Sequence, residues 1–148
     1  MKSGVSALLV HDRDERLEML KSVLEGLPVE TRRVRTCQEA EACLGEARPP
    51  HLALTDTVLP DGNWLDVLES AAKAKERVNV VVASRVADIN LYLDVMTHGA
   101  FDFVTDSFTV PELVHVLRCA VDNAVEARRA ERSASATHQR GQRREVVI

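Results

Sequence analysis

The sequence predicts a doubly wound α/β domain: a parallel sheet with helices packed on both faces. Three observations carry this. Short runs that are apolar at every position alternate with segments whose apolar residues recur three and four apart; the first suits strands buried on both faces, the second one-faced helices. The alternation repeats five times, as in successive βαβ units. The 148 residues are 45% hydrophobic and only 3% aromatic, so a single core must be built from aliphatic side chains.

Each element follows in order. Ala7, Leu8, Leu9 and Val10 form the first strand, which ends abruptly at His11-Asp12-Arg13-Asp14. Leu17, Leu20, Leu24 and Leu27 then make one helical face, stopped by Gly26-Leu27-Pro28. Residues 29–34 are a weaker strand carrying Arg32 and Arg33, and an edge position is expected. Thr36 and Glu39 have capping-box spacing and open a helix through Cys43 and Leu44 that closes at Gly45. Pro49-Pro50 breaks the chain before Leu52, Ala53 and Leu54, a strand running into Thr55 and Asp56. Leu59-Pro60-Asp61-Gly62 is loop chemistry, and Leu65, Leu68 and Ala71 supply the next helical face. Residues 78–83 are the strongest strand. Ile89, Leu93 and Met96 mark a helix ending near Gly99, and residues 101–104 a short fifth strand. Thr109 to Glu112 caps the last helix, with Leu113, Leu117, Ala120, Val121 and Ala124 on one side.

This organisation gives a domain over residues 1–124 and a polar, arginine-rich extension over 125–148, expected as a frayed helix or a disordered segment. Arg128, Arg129, Arg132, Arg140, Arg143 and Arg144 outnumber Glu126, Glu131 and Glu145 there, and a solvated end is the plain reading. The net charge of −4 disfavours non-specific nucleic-acid binding, and no helix-turn-helix pattern follows the domain. Cys37, Cys43 and Cys119 lack a C-x-x-C spacing and read as small buried hydrophobes in a reducing compartment. With neither a signal-peptide run nor a bilayer-length apolar stretch, a cytoplasmic location is expected.

In an open α/β sheet, ligands bind beyond the carboxyl ends of the strands. Those ends carry His11 and Asp12, then Asp56, then Ser84 and Arg85, then Asp106 and Ser107. Carboxylates and a hydroxyl thus converge where packing alone asks for none.

These residues resemble the receiver domain of bacterial response regulators. Val10-His11-Asp12 is similar to the receiver's acidic pair. In the segment from Asp56 to Leu65, an Asp is followed by Pro four residues later and Leu nine later, like the phosphoacceptor loop. Ser84 stands at the switch Ser/Thr, Gly99-Ala100 before the last strand, and Phe103 at the switch aromatic. The resemblance covers roughly residues 5–124 and implies flavodoxin-like topology. It implies phosphoryl acceptance on Asp56 from a histidine kinase or phosphotransfer protein, in a signalling role rather than an enzymatic one. Mg2+ would be held by Asp12, Asp56 and the carbonyl of Val58, and Ser84 and Phe103 would re-pack to present a surface to a downstream protein or a second copy. A carboxylate is a usable nucleophile toward a phosphoryl donor, and a divalent cation offsets the charge of the transferring oxygens.

The sequence departs from the family at three places. His11 replaces the first acid; a strand-end histidine hydrogen-bonded locally is the ordinary alternative to a metal role. Asp106 and Ser107 replace a Lys-Pro pair, so a negative charge stands where more is to arrive. Trp64 replaces a small residue. Arg85 is a candidate substitute for the missing Lys, or a surface arginine paired with Asp88. Three other readings compete: a pseudo-receiver acting as a phosphorylation-independent interaction module, a flavin-binding carrier and a DNA-binding arm. The flavin reading needs a phosphate-cradling loop after the first strand, where this chain has acids.

Overall fold

The structure is a computed structural model that describes the backbone of residues 4–13 and 17–147, and side chains over 4–13 and 18–136. Asp14 and the side chains of Leu17, Arg140, Arg143, Arg144 and Glu145 lie outside the described residues. The chain runs β1 (Ser6–Val10), α1 (Leu17–Glu25), β2 (Glu30–Val34), α2 (Cys37–Leu44), β3 (Leu52–Asp56), β4 (Val58–Leu59), β5 (Gly62–Asn63), α3 (Trp64–Ala72), β6 (Asn79–Ser84), α4 (Ile89–Thr97), β7 (Asp102–Thr105) and α5 (Val110–Val147).

Five strands form one sheet in the order β2-β1-β3-β6-β7, every pairing parallel. The arginine-bearing β2 lies at an edge. Beyond the five strands read from sequence, β4 and β5 make a two-residue antiparallel pair inside the Asp56–Asn63 loop. They are too short to carry a period.

The sheet separates two cores. On one face Leu9, Leu54, Val81 and Val104 pack with Leu20, Leu24, Leu113 and Leu117 of α1 and α5. On the other, Leu8, Val10, Ala53, Val80 and Val82 pack with Leu44, Trp64, Val67 and Val95 of α2, α3 and α4. Successive residues of β1, β3 and β6 thus enter opposite cores, which is why these strands show no polar alternation. Fully burying one such aliphatic side chain contributes about 1.5–3 kcal/mol. Cys37, Cys43 and Cys119 are free thiols, half-buried rather than fully buried.

Local chemistry sets the helix ends. Thr36 Oγ1 accepts from Glu39 N–H, as its spacing predicts. Asn63 with Asp66 forms a complete capping box at the start of α3. Gly99 follows α4 at φ 98°, a conformation that side-chain-bearing residues avoid. At Gly62 an added Cβ would collide with the Asp66 carboxylate and come within 3.0 Å of Cys37 Sγ.

The last helix crosses the position where the sequence places the start of the polar extension. α5 runs through residue 124 without a break, and Arg128, one turn beyond Ala124, is buried. Its planar fork finds main-chain carbonyl acceptors, so a charged side chain takes an anchoring place without an apolar stripe to announce it. Upstream on α5, Asn79 donates to the carbonyl of Ala120 and to Asn123 Oδ1.

His51 stands at the foot of β3 between Ser6 and Arg128. Ser6 N–H lies 3.2 Å from its Nδ1, and Arg128 Nη1 3.1 Å from its Nε2. A neutral ring offers one bare nitrogen, to Ser6 or Arg128 according to tautomer. Burial, and then the Arg128 guanidinium, push the imidazole down to about 4 from an ordinary 6.5; Glu76 opposes this and Arg132 adds to it. Between those values the unfolded chain takes up a proton that the folded chain refuses. Stability from this group is therefore fully present above pH 6.5 and is lost as pH falls toward 4. Urea midpoints should fall between pH 7 and 4.5, and the fall should be shallower in His51→Gln.

Candidate functional site

The register of the sheet brings the candidate residues to one edge. Val10 pairs with Thr55, Asp56 with Ala83, and Ser84 with Thr105, so His11, Asp56, Ser84 and Asp106 all fall at the carboxyl ends of neighbouring strands. Asp56 ends the central strand β3 and keeps a side chain 14% exposed. One carboxylate oxygen accepts from Thr57 N–H at 2.7 Å. The other lies 3.4 Å from Nδ1 of His11, which is itself buried. The two residues that the sequence brings to adjacent strand ends therefore touch. His11 N–H donates to Val34 O, so the residue is also fixed through its backbone.

Asp12 is half-buried, with its carboxylate 3.8 Å from Nη1 of Arg35. Arg33, assigned by sequence only to an edge strand, reaches over β1. It donates from Nε to His11 O at 2.9 Å and from Nη2 to Asp12 O at 3.2 Å. Arg33 and Arg35 are the residues that sequence reading missed. The available signal was their two-residue spacing across the end of β2, Arg33 within that edge strand next to β1 and Arg35 just beyond it.

The loop after Asp56 is held from its far end. Asp61 accepts from Cys37 N–H at 2.7 Å and Gln38 N–H at 3.0 Å, at the opening of α2. Those two hydrogen bonds hold its carboxyl below the usual carboxylate range. At the near end, Trp64 N–H donates to Thr57 O, and the indole is buried and edge-on to His98. The large side chain at 64 therefore fills the second core.

Ser84 is buried and bonded within its own loop, with Oγ 3.0 Å from the Val86 carbonyl and 3.2 Å from Val86 N–H. Phe103 is buried and meets Tyr92 edge-on at 5.9 Å between ring centroids. Arg85 and Asp106 are exposed. Asp88 caps α4, accepting from Asn90 N–H and Leu91 N–H.

The donors suit a hard cation in part. The carboxylates of Asp12 and Asp56 and the Val58 carbonyl are hard oxygen donors of the type magnesium takes, and magnesium commonly uses one or two carboxylates and completes its shell with water. Among the described residues no three His, Cys, Asp or Glu side chains converge into a metal-holding group. The fit is that of a largely hydrated ion.

A model of the response regulator receiver domain matches residues 7–118. The chain belongs to that family. It is 29% identical over 119 residues to the response regulator protein PilR of Pseudomonas aeruginosa, covering 80% of this chain and 26% of PilR. With the photosynthetic apparatus regulatory protein RegA of Cereibacter sphaeroides it shares 32% over 114 residues, 76% of this chain and 60% of RegA. The chain thus spans less than two thirds of these relatives. Among solved structures, the non-phosphorylated HemR receiver domain of Leptospira biflexa superposes with TM-score 0.67 at 27% identity, covering 79% of this chain and 94% of that one. The receiver domain of a Luxo repressor protein from Vibrio parahaemolyticus, at 21% identity and TM-score 0.69 over 81% of this chain and 92% of its own, shares the fold. The signalling class is that of two-component response regulators.

Arg33 is the brace of the site's first loop. Hydrogen bonds from a charged donor are worth about 1.5–3 kcal/mol each when shielded, and less for a half-buried side chain. Arg33→Ala should therefore lower unfolding free energy by about 1–2 kcal/mol in urea titration, whereas exposed Arg32→Ala should change it by less than about 0.5 kcal/mol.

Proposed function

We propose that Asp56 accepts a phosphoryl group from a histidine kinase or a phosphotransfer protein. What supports this most is its carboxylate at the carboxyl end of the central strand, partly open to solvent, with Thr57 N–H on one oxygen. In the transfer, an Asp56 oxygen forms a bond to phosphorus while the phosphorus–nitrogen bond to the donor imidazole breaks. The electron pair leaves with that nitrogen, which takes up a proton. The product is an acyl phosphate, and the domain acts as a switch rather than as an enzyme with a separate substrate.

Asp12, Asp56 and the Val58 carbonyl would hold Mg2+, which offsets the charge on the transferring oxygens. His11 Nδ1 lies 3.4 Å from one carboxylate oxygen of Asp56. Asp106 brings negative charge to the neighbouring strand end, and Arg85, beside Ser84, is the candidate counter-charge. Ser84 would exchange its bond to Val86 for one to the phosphoryl group, and Phe103 would adjust its packing on Tyr92.

The readout surface is the apolar face around α4. Val86, Ile89, Leu93 and Val110 are 62%, 65%, 54% and 53% exposed, beside Tyr92 and a cavity of about 390 Å3 that includes Phe103 and Phe108 in its lining. Such a patch suits a downstream protein or a second copy of the domain. No helix among the described residues is long and apolar enough to cross a membrane.

Incubation with acetyl phosphate and Mg2+ should add one phosphoryl mass to the intact protein and none to Asp56→Asn. Equal labelling of the variant moves the site elsewhere, and labelling of neither protein overturns the reading.

His11→Asp, which supplies a second acid, should tighten Mg2+ binding by about tenfold in calorimetry or Trp64 fluorescence. Equal affinities would mean that position 11 does not face the ion.

A further inference from the structure

We propose that Arg128 fastens the carboxy-terminal part of α5 to the feet of β3 and β6, making that helix a strut whose pose is coupled to the two strands that end in Asp56 and Ser84. The side chain is 5% exposed. Its Nη2 donates to the carbonyls of Pro49 and Pro50 at 2.9 and 2.8 Å, just before β3. Its Nε donates to the carbonyl of Arg77 at 2.9 Å, two residues before β6, and lies 3.3 Å from the Glu76 carboxylate. One rigid guanidinium thus spans the entrances of both strands, which a flexible ammonium would not do.

Pro49 and Pro50 give the arrangement its chemistry. A proline has a carbonyl but no N–H, so these acceptors belong to a segment that cannot extend the sheet and whose oxygens need a donor from outside. The buried charge is offset by Glu76, which also meets Arg132 at 3.3 Å one turn further along. Arg129, between them, is exposed and pairs locally with Glu126, so the two neighbouring arginines differ in kind. Asn79, the first residue of β6, bonds Ala120 and Asn123 of the same helix. α5 is therefore stitched to these strands at residues 120, 123 and 128.

β3 runs from the His51 foot to Asp56, and β6 from Asn79 to Ser84. A five-residue strand is about 17 Å long. A displacement of either strand at the acceptor end is resisted at its foot by the helix, and energetic coupling of this kind is reciprocal. The functional meaning of the coupling rests on the proposed role of Asp56; the fastening does not.

Hydrogen exchange on the full-length chain tests both. Arg128→Ala should speed exchange of amides 125–136 by at least about tenfold, while Arg129→Ala leaves them as in the parent. In Arg128→Ala, amides 57 and 86, at the far ends of β3 and β6, should also speed up by more than the amides of α2, which serve as the measure of general destabilisation. Should Arg128→Ala not fold, Arg128→Lys keeps the charge and loses the fork, and should show the same pattern at smaller amplitude. Exchange at 125–136 unchanged in the Lys variant, or equal in the Arg128 and Arg129 variants, overturns the fastening. Faster exchange at 125–136 with 57 and 86 moving only as much as α2 overturns the coupling. Phosphoryl labelling of Asp56, measured separately by mass, decides the acceptor reading without bearing on either result.

Discussion

Burial of the sheet on both faces is the constraint from which the rest follows. β1, β3 and β6 send alternate side chains into two separate cores, so polar groups have little place along their length. They collect at the ends. His11, Asp56 and Ser84 gather at one edge because that is where the chain leaves the apolar layer, and Asn79 stands at the opposite edge for the same reason. The chemistry of the domain and its helix anchoring thus occupy opposite ends of the same strands.

The loops at the carboxyl edge of the sheet are positioned by side chains from neighbouring segments more than by their own. Arg33 on β2 reads the carbonyls that follow β1, and Asp61 ties the loop after Asp56 to the opening of α2. Each is a charge-assisted bond to backbone, the kind that fixes geometry best. The consequence for Asp56 is a carboxylate whose surroundings are set on both sides: Thr57 N–H on one oxygen, the His11 ring on the other.

Much of this was legible in the sequence, for identifiable reasons. Short apolar runs bounded by turn residues suit strands with two covered faces, so the parallel sheet was readable from residues 7–10, 52–54 and, but for Asn79, 78–83. The strand-end rule then pointed to His11, Asp56 and Ser84. What escaped was contact at long separation. Arg33 looks like an edge-strand arginine until β1 is placed beside it, and nothing local at Asp61 names α2 as its partner. Arg128 escaped for a further reason. It follows an apolar stripe that has ended, and a search for periodic hydrophobes passes over a residue whose anchorage is hydrogen bonding. The β4–β5 pair, two residues to a strand, is too short for any period to show.

The Asp61 tie also bears on the reactivity of a sulfur. Cys37 opens α2 beside Asp61 and Asp66, and burial followed by those two carboxylates lifts its thiol to about 11. The thiolate is the reacting form, so at neutral pH only roughly one molecule in ten thousand presents it. Cys43 is lifted as well, chiefly by burial. Burial together with the acidic clasp that ties the loop after Asp56 to α2 therefore leaves Cys37 a sluggish target for alkylation and peroxide.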